Sequence, residues 1–146
     1  MAELGIALPL PPKPVATYIP AVRAGELLFL SGTGPFRDGQ IVFAGKLGRD
    51  LTVEQGYEAA RLTLLNALAM VRQELGTLDR VVRIVRLTGH VASAEGFTKQ
   101  PSVLNGASDL LVQIFGEAGL HARLALGAAE LPLNMCLELE LILQVR

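Results

Sequence analysis

The sequence of 146 residues has few of the side chains that most often build covalent or metal-dependent chemistry. It contains one cysteine, two histidines and no tryptophan. A lone cysteine excludes an internal disulfide and is typical of a reducing compartment. Cys136, His90 and His121 lie far apart in the sequence, so no metal-ligand spacing occurs. The sequence therefore predicts no metal and no other cofactor, and each histidine is expected to be structural.

Charge and long apolar runs are also scarce. Only 18% of the residues are charged, the net charge is -1, and the 13 lysines and arginines form no basic run. This pattern argues against a strong electrostatic nucleic-acid binder. No apolar run approaches the roughly 20 residues of a membrane-spanning helix, and the first residues lack the pattern of a signal peptide. A cytoplasmic protein with neither a nucleic-acid nor a membrane partner is expected.

Apolar residues, in contrast, are abundant. They make up 51% of the chain, and the mean hydropathy is +0.42. That content is high for a small soluble monomer, so part of the apolar surface is expected to be buried between subunits. The length fits a single domain over residues 1–146. Four prolines within residues 1–14 predict an extended arm at its start.

Two segments have the pattern of a helix. The first begins at Thr52, where the sequence TVEQ matches a capping box, and ends at Gly76 after a run of apolar residues at helical spacing. The second has Pro101 in its first turn and ends near Gly116. Asn66, in the middle of the first helix, is expected to face solvent or to bond locally.

Strand patterns surround these helices. The segments with alternating or β-branched residues are 17–23, 26–31, 81–91, 122–130 and 135–145, with a brief strand at 40–43. The order is strand, strand, helix, strand, helix, strand, strand, and each helix has one apolar stripe. This order predicts an α+β fold in which two helices pack on one face of a mixed sheet.

The last two strands carry the most promising chemistry. The short link at 131–134 predicts a hairpin, which would bring Arg123 level with residues 138–141. Glu138 and Glu140 alternate away from the core face, and Arg123 stands among small residues on a sheet face expected to be left for ligand or partner. An arginine can clamp a carboxylate, and a carboxyl with a perturbed pKa can move protons. The alternative is an ordinary ion pair on a solvated face.

Two other features could contribute to a binding site. In the SGTGP segment that starts at Ser31, the two glycines allow the backbone to approach a ligand closely. No helix opens after this segment, which argues against a dinucleotide-binding loop. Tyr18 is a further candidate for the site.

Nearly the whole chain, residues 4–145, resembles the RidA family, also called YjgF-like or endoribonuclease L-PSP-like proteins, and specifically a longer branch of it. The resemblance is carried by the motifs YIPAV at 18–22, FLSGTGP at 29–35, NAL at 66–68, NGASDL at 105–110, GEAGLHAR at 116–123, ELP at 130–132 and LELE at 137–140. Each motif alone is weak, but the combination is specific.

The resemblance implies a chorismate-mutase-like fold and a homotrimer with ligand clefts between subunits. Family members with the arginine hydrolyse 2-imino and enamine acids to 2-keto acids and ammonia without a cofactor. Carried over by position, Arg123 would hold the substrate carboxylate and Glu138 would position or activate water. Tyr18 would line the cleft, and Ser31 with the Gly32 backbone would contact the ligand. Glu140 would then be structural.

The chain departs from the pattern of the typical deaminases, which have Pro-Ala-Arg-Ser-Cys where this chain has the segment HARLA at 121–125, with one extra residue before the arginine. This difference implies a differently shaped cleft. Two alternatives stay open, namely a non-catalytic regulatory module that binds a small carboxylate and an endoribonuclease as the older family name suggests. The lack of a basic patch and of paired catalytic histidines weighs against the endoribonuclease.

Overall fold

The computed structural model describes residues 1–14 and 16–146, and within them contains two α-helices and seven strands. In chain order these elements are β1 (Ala21–Ala24), β2 (Leu27–Leu30), β3 (Phe36–Arg37), β4 (Gln40–Ile41), α1 (Val53–Leu75), β5 (Val81–Ala92), α2 (Gln100–Phe115), β6 (Ala122–Ala128) and β7 (Leu137–Val145). The predicted order is confirmed for the helices and the other strands, whereas β3, which pairs with β4, was not predicted. The first strand is shorter than predicted, because residues 17–20 are not in a strand.

Helix α1 begins and ends as its sequence predicts. The Thr52 hydroxyl accepts a hydrogen bond from the Gln55 backbone, and the Gln55 side chain accepts one from the Thr52 backbone, which completes the capping box. Gly76 closes the helix with a φ of 82°, a conformation that costs glycine little. Both ends of the helix are therefore fixed by local sequence.

Helix α2 has Pro101 in its first turn and ends at Gly116, also as predicted. It packs against α1 so closely that a Cβ at Gly106 would meet the backbone carbonyl of Tyr57. Both helices lie on one face of the main sheet and pack against apolar side chains that are fully buried, among them Ile84, Leu87, Leu137, Leu139, Leu141 and Leu143. The α+β architecture with two helices on a mixed sheet is confirmed.

The main sheet has the strand order β1-β2-β7-β5-β6. Strand β7 lies in its centre, antiparallel to both β2 and β5, while β6 is parallel to β5 at the edge. The predicted hairpin between the last two strands is therefore wrong. Helix α2 connects β5 to β6, and such a crossover returns the chain parallel to its first strand. Strand β7, with one wholly apolar face, takes the central position.

The sheet face opposite the helices is uncovered in the single chain. Its exposed apolar side chains include Val22, Phe29, Leu124 and Leu126, which are 38–53% exposed. In the same rows lie Arg86, Thr88, His90, Glu138 and Glu140, as the register of β5 with its neighbours shows. We call this the open sheet face. None of the helices in the described part of the chain is long and apolar enough to cross a membrane.

The contact between the two helices gives the first testable prediction. We expect Gly106→Ala to lower the free energy of unfolding by about 1–3 kcal/mol, because the added methyl group would force α2 away from Tyr57. Chemical denaturation measures this change. Ser102→Ala, at an exposed position of the same helix, is the matched control and should change stability by less than about 0.5 kcal/mol. Equal stabilities for the two variants would contradict the close packing.

Candidate functional site

A cavity of about 390 Å³ lies where the SGTGP segment at 31–35, which we call the glycine-containing segment, pairs with β7. The predicted site residues Tyr18, Ser31, Gly32 and Glu138 all line it. Apolar walls come from the proline-rich arm and from other segments, through Pro12, Pro14, Phe36, Met70, Pro132, Leu133 and Met135. The cavity thus combines one acidic side chain, Glu138, and one basic side chain, Lys13, with largely apolar surroundings, which is the composition of many small-molecule sites.

Glu138 projects from β7 on the side away from the helices, and Gly32 lies directly beside it. A Cβ at position 32 would meet the Glu138 carboxylate, so a larger residue there would displace this side chain from its present position. Partial burial raises the pKa of the Glu138 carboxyl; the nearby His90 acts in the opposite direction and Glu140 adds to the rise. A carboxyl whose pKa is raised toward neutrality is better matched to proton transfer at neutral pH.

Backbone pairing holds the glycine-containing segment against β7. Thr33 and Leu139 exchange two backbone hydrogen bonds of 3.0 Å each. The Ser31 hydroxyl donates to the Ile19 carbonyl at 2.6 Å, which ties the segment to the loop that carries Tyr18. The Ser31 oxygen therefore contributes to a ligand site only with its acceptor capacity, since its proton is already used.

Asn66 holds a segment that lines the cavity, and the expectation that it faces solvent or bonds locally is wrong. It is only 2% exposed, and its side-chain amide donates to the carbonyls of Gly34 and Phe36 at 3.0 and 2.9 Å. These bonds fix the end of the glycine-containing segment. The signal was present in the sequence, because Asn66 stands seven residues after Ala59, two turns along the buried stripe of α1.

Arg123 does not line this cavity. Arg123 pairs in register with Leu87, whose side chain is buried beneath the helices. The Nη1 atom of Arg123 donates to Asn105 Oδ1 at 2.8 Å and to Ser108 Oγ at 3.2 Å. The side chain thus faces α2, and the expectation that it stands on the face opposite the helices is wrong.

A single chain does not bring Arg123 and Glu138 together. Glu138 is level with His90 on the open sheet face, whereas Arg123 is level with Leu87 and points to the other face. Two strand spacings and three residues separate their Cα atoms, a distance of roughly 14 Å. The predicted contact between the two side chains across a hairpin is therefore excluded within one chain.

Two residues that the sequence did not single out as site candidates lie next to Arg123. Ser108 Oγ is 2.9 Å from His121 Nε2, and His121 Nδ1 is 2.6 Å from the Gly119 carbonyl oxygen. Together with Asn105 they form a polar cluster between α2 and β6, which we call the arginine cluster (Asn105, Ser108, His121 and Arg123). His90 lies apart from it on the open sheet face.

Other groups that could carry chemistry are limited. In residues 1–14 and 16–146 no group of three or more histidine, cysteine, aspartate or glutamate side chains could hold a metal ion. Cys136 is fully buried, and burial raises the pKa of its thiol to about 12. The candidate functional site is therefore made up of the Glu138 cavity and the arginine cluster.

Comparison with known proteins identifies one family. A family model described as "YjgF/chorismate mutase-like, putative endoribonuclease" matches residues 1–144. Protein TCP17 of Trypanosoma cruzi is 40% identical over 146 residues, which cover 99% of this chain and 91% of that protein. These matches extend over nearly the entire chain.

Solved structures give the same result. The crystal structure described as "a putative endoribonuclease" from Shewanella oneidensis is 38% identical, has a TM-score of 0.95, and is matched over 99% of this chain and 95% of its own. The structure of E. coli TdcF with bound serine is 24% identical, with a TM-score of 0.66 and 93% of each chain covered. At that identity the second likeness shows the fold alone.

The buried thiol of Cys136 gives a prediction about the packing of the core. Because the pKa of Cys136 is about 12 and the side chain is fully buried, we expect folded protein to react with iodoacetamide at pH 8 at least about 100-fold more slowly than unfolded protein. Mass spectrometry measures the modified fraction over time. The same protein unfolded in guanidinium chloride is the control. Rapid labelling of the folded protein would show that Cys136 is accessible.

Proposed function

Since the chain belongs to the YjgF/chorismate mutase-like family, we propose that it hydrolyses small 2-imino and enamine acids to 2-keto acids and ammonia at a cleft between copies of the chain. The observation that carries this proposal is the Glu138 carboxyl, which has a raised pKa in a cavity sized for a small molecule. In the proposed site, Arg123 of a neighbouring copy supplies the cation for the substrate carboxylate.

The open sheet face supports association between copies. Parallel strands such as β5 and β6 are normally covered on both faces, whereas here one face is bare. Exposed Val22, Phe29, Leu124 and Leu126 give that face apolar contact surface. We propose that copies pack through the open sheet face as a homotrimer. Arg123 points to the helix face, but β6 is the edge strand, so the arginine cluster would lie at the rim of this interface. The proposed cleft at that rim combines the arginine cluster of one copy with the Glu138 cavity of the next.

The proposed reaction needs only water as a second reactant. The Arg123 guanidinium binds the substrate carboxylate by two parallel hydrogen bonds. The Glu138 carboxylate takes a proton from water as the water oxygen bonds to the imine carbon. Glu138 then gives this proton to the nitrogen of the resulting carbinolamine, the carbon–nitrogen bond breaks, and ammonia leaves as the hydroxyl proton returns to the Glu138 carboxylate and the carbonyl forms. An enamine enters the same sequence after protonation at its β-carbon gives the imine.

The lining residues suit this substrate class. Tyr18 and Ser31 place hydroxyl groups at the cavity wall, and the Gly32 backbone lies beside the Glu138 carboxylate. Serine is bound to the structural relative TdcF, and serine is an amino acid of the same size and charge pattern as the proposed substrates. Its carboxylate and nitrogen correspond chemically to the two groups that the proposed site must recognise.

RNA cleavage, which the family description suggests, has less support in this chain. The Glu138 carboxylate would repel a phosphate backbone in the cavity, and a net charge of -1 provides no long-range attraction for RNA. The other alternative, a module that binds a small carboxylate without turnover, is distinguished by the kinetic experiments below.

The raised pKa of Glu138 predicts both activity and stability. We expect the hydrolysis rate to fall as the pH drops through this raised pKa, at higher pH than an ordinary glutamate would give, because the base becomes protonated. Glu138→Gln should lower kcat at least about 100-fold. The assay measures ammonia released from freshly generated iminopyruvate.

The raised pKa of Glu138 also determines the direction in which Glu138→Gln changes stability. The carboxyl has a higher pKa in the folded than in the unfolded chain, so its ionisation disfavours the folded state above the raised pKa and has no effect below about pH 4. Glu138→Gln should therefore raise the melting temperature at pH 8 and leave it unchanged at pH 3.5.

Glu140→Gln is the control for the activity measurement and should keep most of the activity. Full activity in Glu138→Gln would contradict the role as base.

A mixing experiment tests whether the site is shared between copies. Arg123→Ala and Glu138→Gln should each be inactive alone. When the two are mixed, unfolded and refolded together, about one quarter of the sites would combine an intact arginine with an intact glutamate, so about a quarter of the wild-type activity should return. The double variant refolded with wild type is the control for exchange. Mixed trimers without any activity would contradict a shared site.

A further inference from the structure

We infer that Ser108 and His121 are positioning residues that hold the Arg123 guanidinium in the orientation that receives a substrate carboxylate. This inference rests on the proposed function, in which Arg123 binds that carboxylate. Neither residue is expected to touch the substrate, so each acts through Arg123.

Sequence spacing explains why these side chains meet. His121 directly precedes β6 and Arg123 is the second residue of that strand. Because they are two residues apart in extended backbone, both side chains point to the same side, toward α2. Asn105 and Ser108 are three residues apart on α2 and therefore share one helix face. The two pairs face each other across the groove between the strand and the helix.

The donor and the acceptor of each hydrogen bond in the arginine cluster follow from the Gly119 carbonyl. The Gly119 carbonyl can only accept, so His121 Nδ1 must carry the proton of the 2.6 Å bond. In the neutral ring, Nε2 is then an acceptor and takes the Ser108 hydroxyl proton at 2.9 Å. With its proton committed to His121, Ser108 Oγ presents a lone pair to Arg123 Nη1 at 3.2 Å. His121 thus determines which way the serine hydroxyl points.

These bonds occupy one nitrogen of the guanidinium and leave the others for a ligand. Nη1 donates to both Asn105 Oδ1 and Ser108 Oγ. Among the described residues, Nε and Nη2 of Arg123 have no hydrogen-bond partner. That edge of the guanidinium has the fork of two parallel N–H groups that binds a carboxylate in bidentate fashion.

Holding the guanidinium in place favours ligand binding because less side-chain freedom is lost when the ligand arrives. Without Ser108 or His121, Arg123 keeps its charge and its bond to Asn105 but is free to turn. Carboxylate binding should then weaken, while the chemical step at the imine carbon, which depends on Glu138, should proceed at nearly the same rate. An increase in KM with little change in kcat is therefore the expected signature.

The test uses 2-ketobutyrate as the carboxylate probe and measures its affinity by isothermal titration calorimetry, together with kcat and KM for iminopyruvate. We expect Ser108→Ala and His121→Ala each to weaken binding about three- to tenfold. Because His121 acts through Ser108, the double variant should be no weaker than the weaker single variant. Ser108→Thr keeps a hydroxyl and should restore most of the affinity.

Controls separate the possible outcomes. Ser102→Ala, on the exposed side of the same helix, should bind as wild type does. Unchanged affinity in Ser108→Ala and His121→Ala, with binding lost in Arg123→Ala, would overturn the positioning role and leave the proposed function intact. Unchanged binding in Arg123→Ala, or no binding by wild type, would overturn both. Ser108→Ala places a strong helix former in α2, so this variant tests the inference even if His121→Ala does not fold.

Discussion

The central position of β7 is the constraint on which the rest of the structure depends. One face of this strand, from Leu137 to Val145, is wholly apolar and buried beneath both helices. Its backbone hydrogen bonds are satisfied by β2 on one side and β5 on the other. A strand with that much apolar surface is most stable in the middle of a sheet, where neighbours on both sides shield it from water. This placement leaves β6 at the edge and fixes which residues can approach one another.

The two-sided sheet separates the two groups of the proposed chemistry. Glu138 belongs to the uncovered face because it alternates with the buried leucines of β7, while Arg123 belongs to the helix face because it alternates with Leu124 and Leu126. No change of side-chain rotamer could bring them together across β5. A site that uses both must therefore be built from two copies, and the uncovered apolar face provides the surface for the association that we propose.

The two polar sites differ in how they are held. The carboxyl of Glu138 is partly buried with few polar partners, so its surroundings raise its pKa at a cost to stability. Arg123, in contrast, is surrounded by acceptors that take its Nη1 protons, and its orientation depends on the polar chain through Ser108 and His121. Partial removal from water sets the pKa of Glu138, whereas hydrogen bonds set the orientation of Arg123. This division suits a reaction that needs a reactive base and a stationary cation.

The sequence by itself determined the helices, most strands and four residues of one site. Caps at Thr52 and Gly116 are local signals, and alternation along β7 shows which face is apolar without knowledge of its neighbours. The motifs shared with the family indicated Tyr18, Ser31, Gly32 and Glu138, which all line one cavity. Such features depend on residues close together in the chain, which is why a sequence pattern reveals them.

Only the tertiary structure decided which strands are neighbours and therefore where Arg123 points. Strands joined by a short link usually form a hairpin, but here β7 crosses to the middle of the sheet because its apolar face is buried best there. The hydrogen bonds from Asn66 to the Gly34 and Phe36 carbonyls and the contact of His121 with Ser108 likewise join residues distant in sequence. Alternation shows which residues of a strand share a face, but for β6 it gives neither the face that meets the helices nor the partner strand, since both are settled by the total burial of the whole chain.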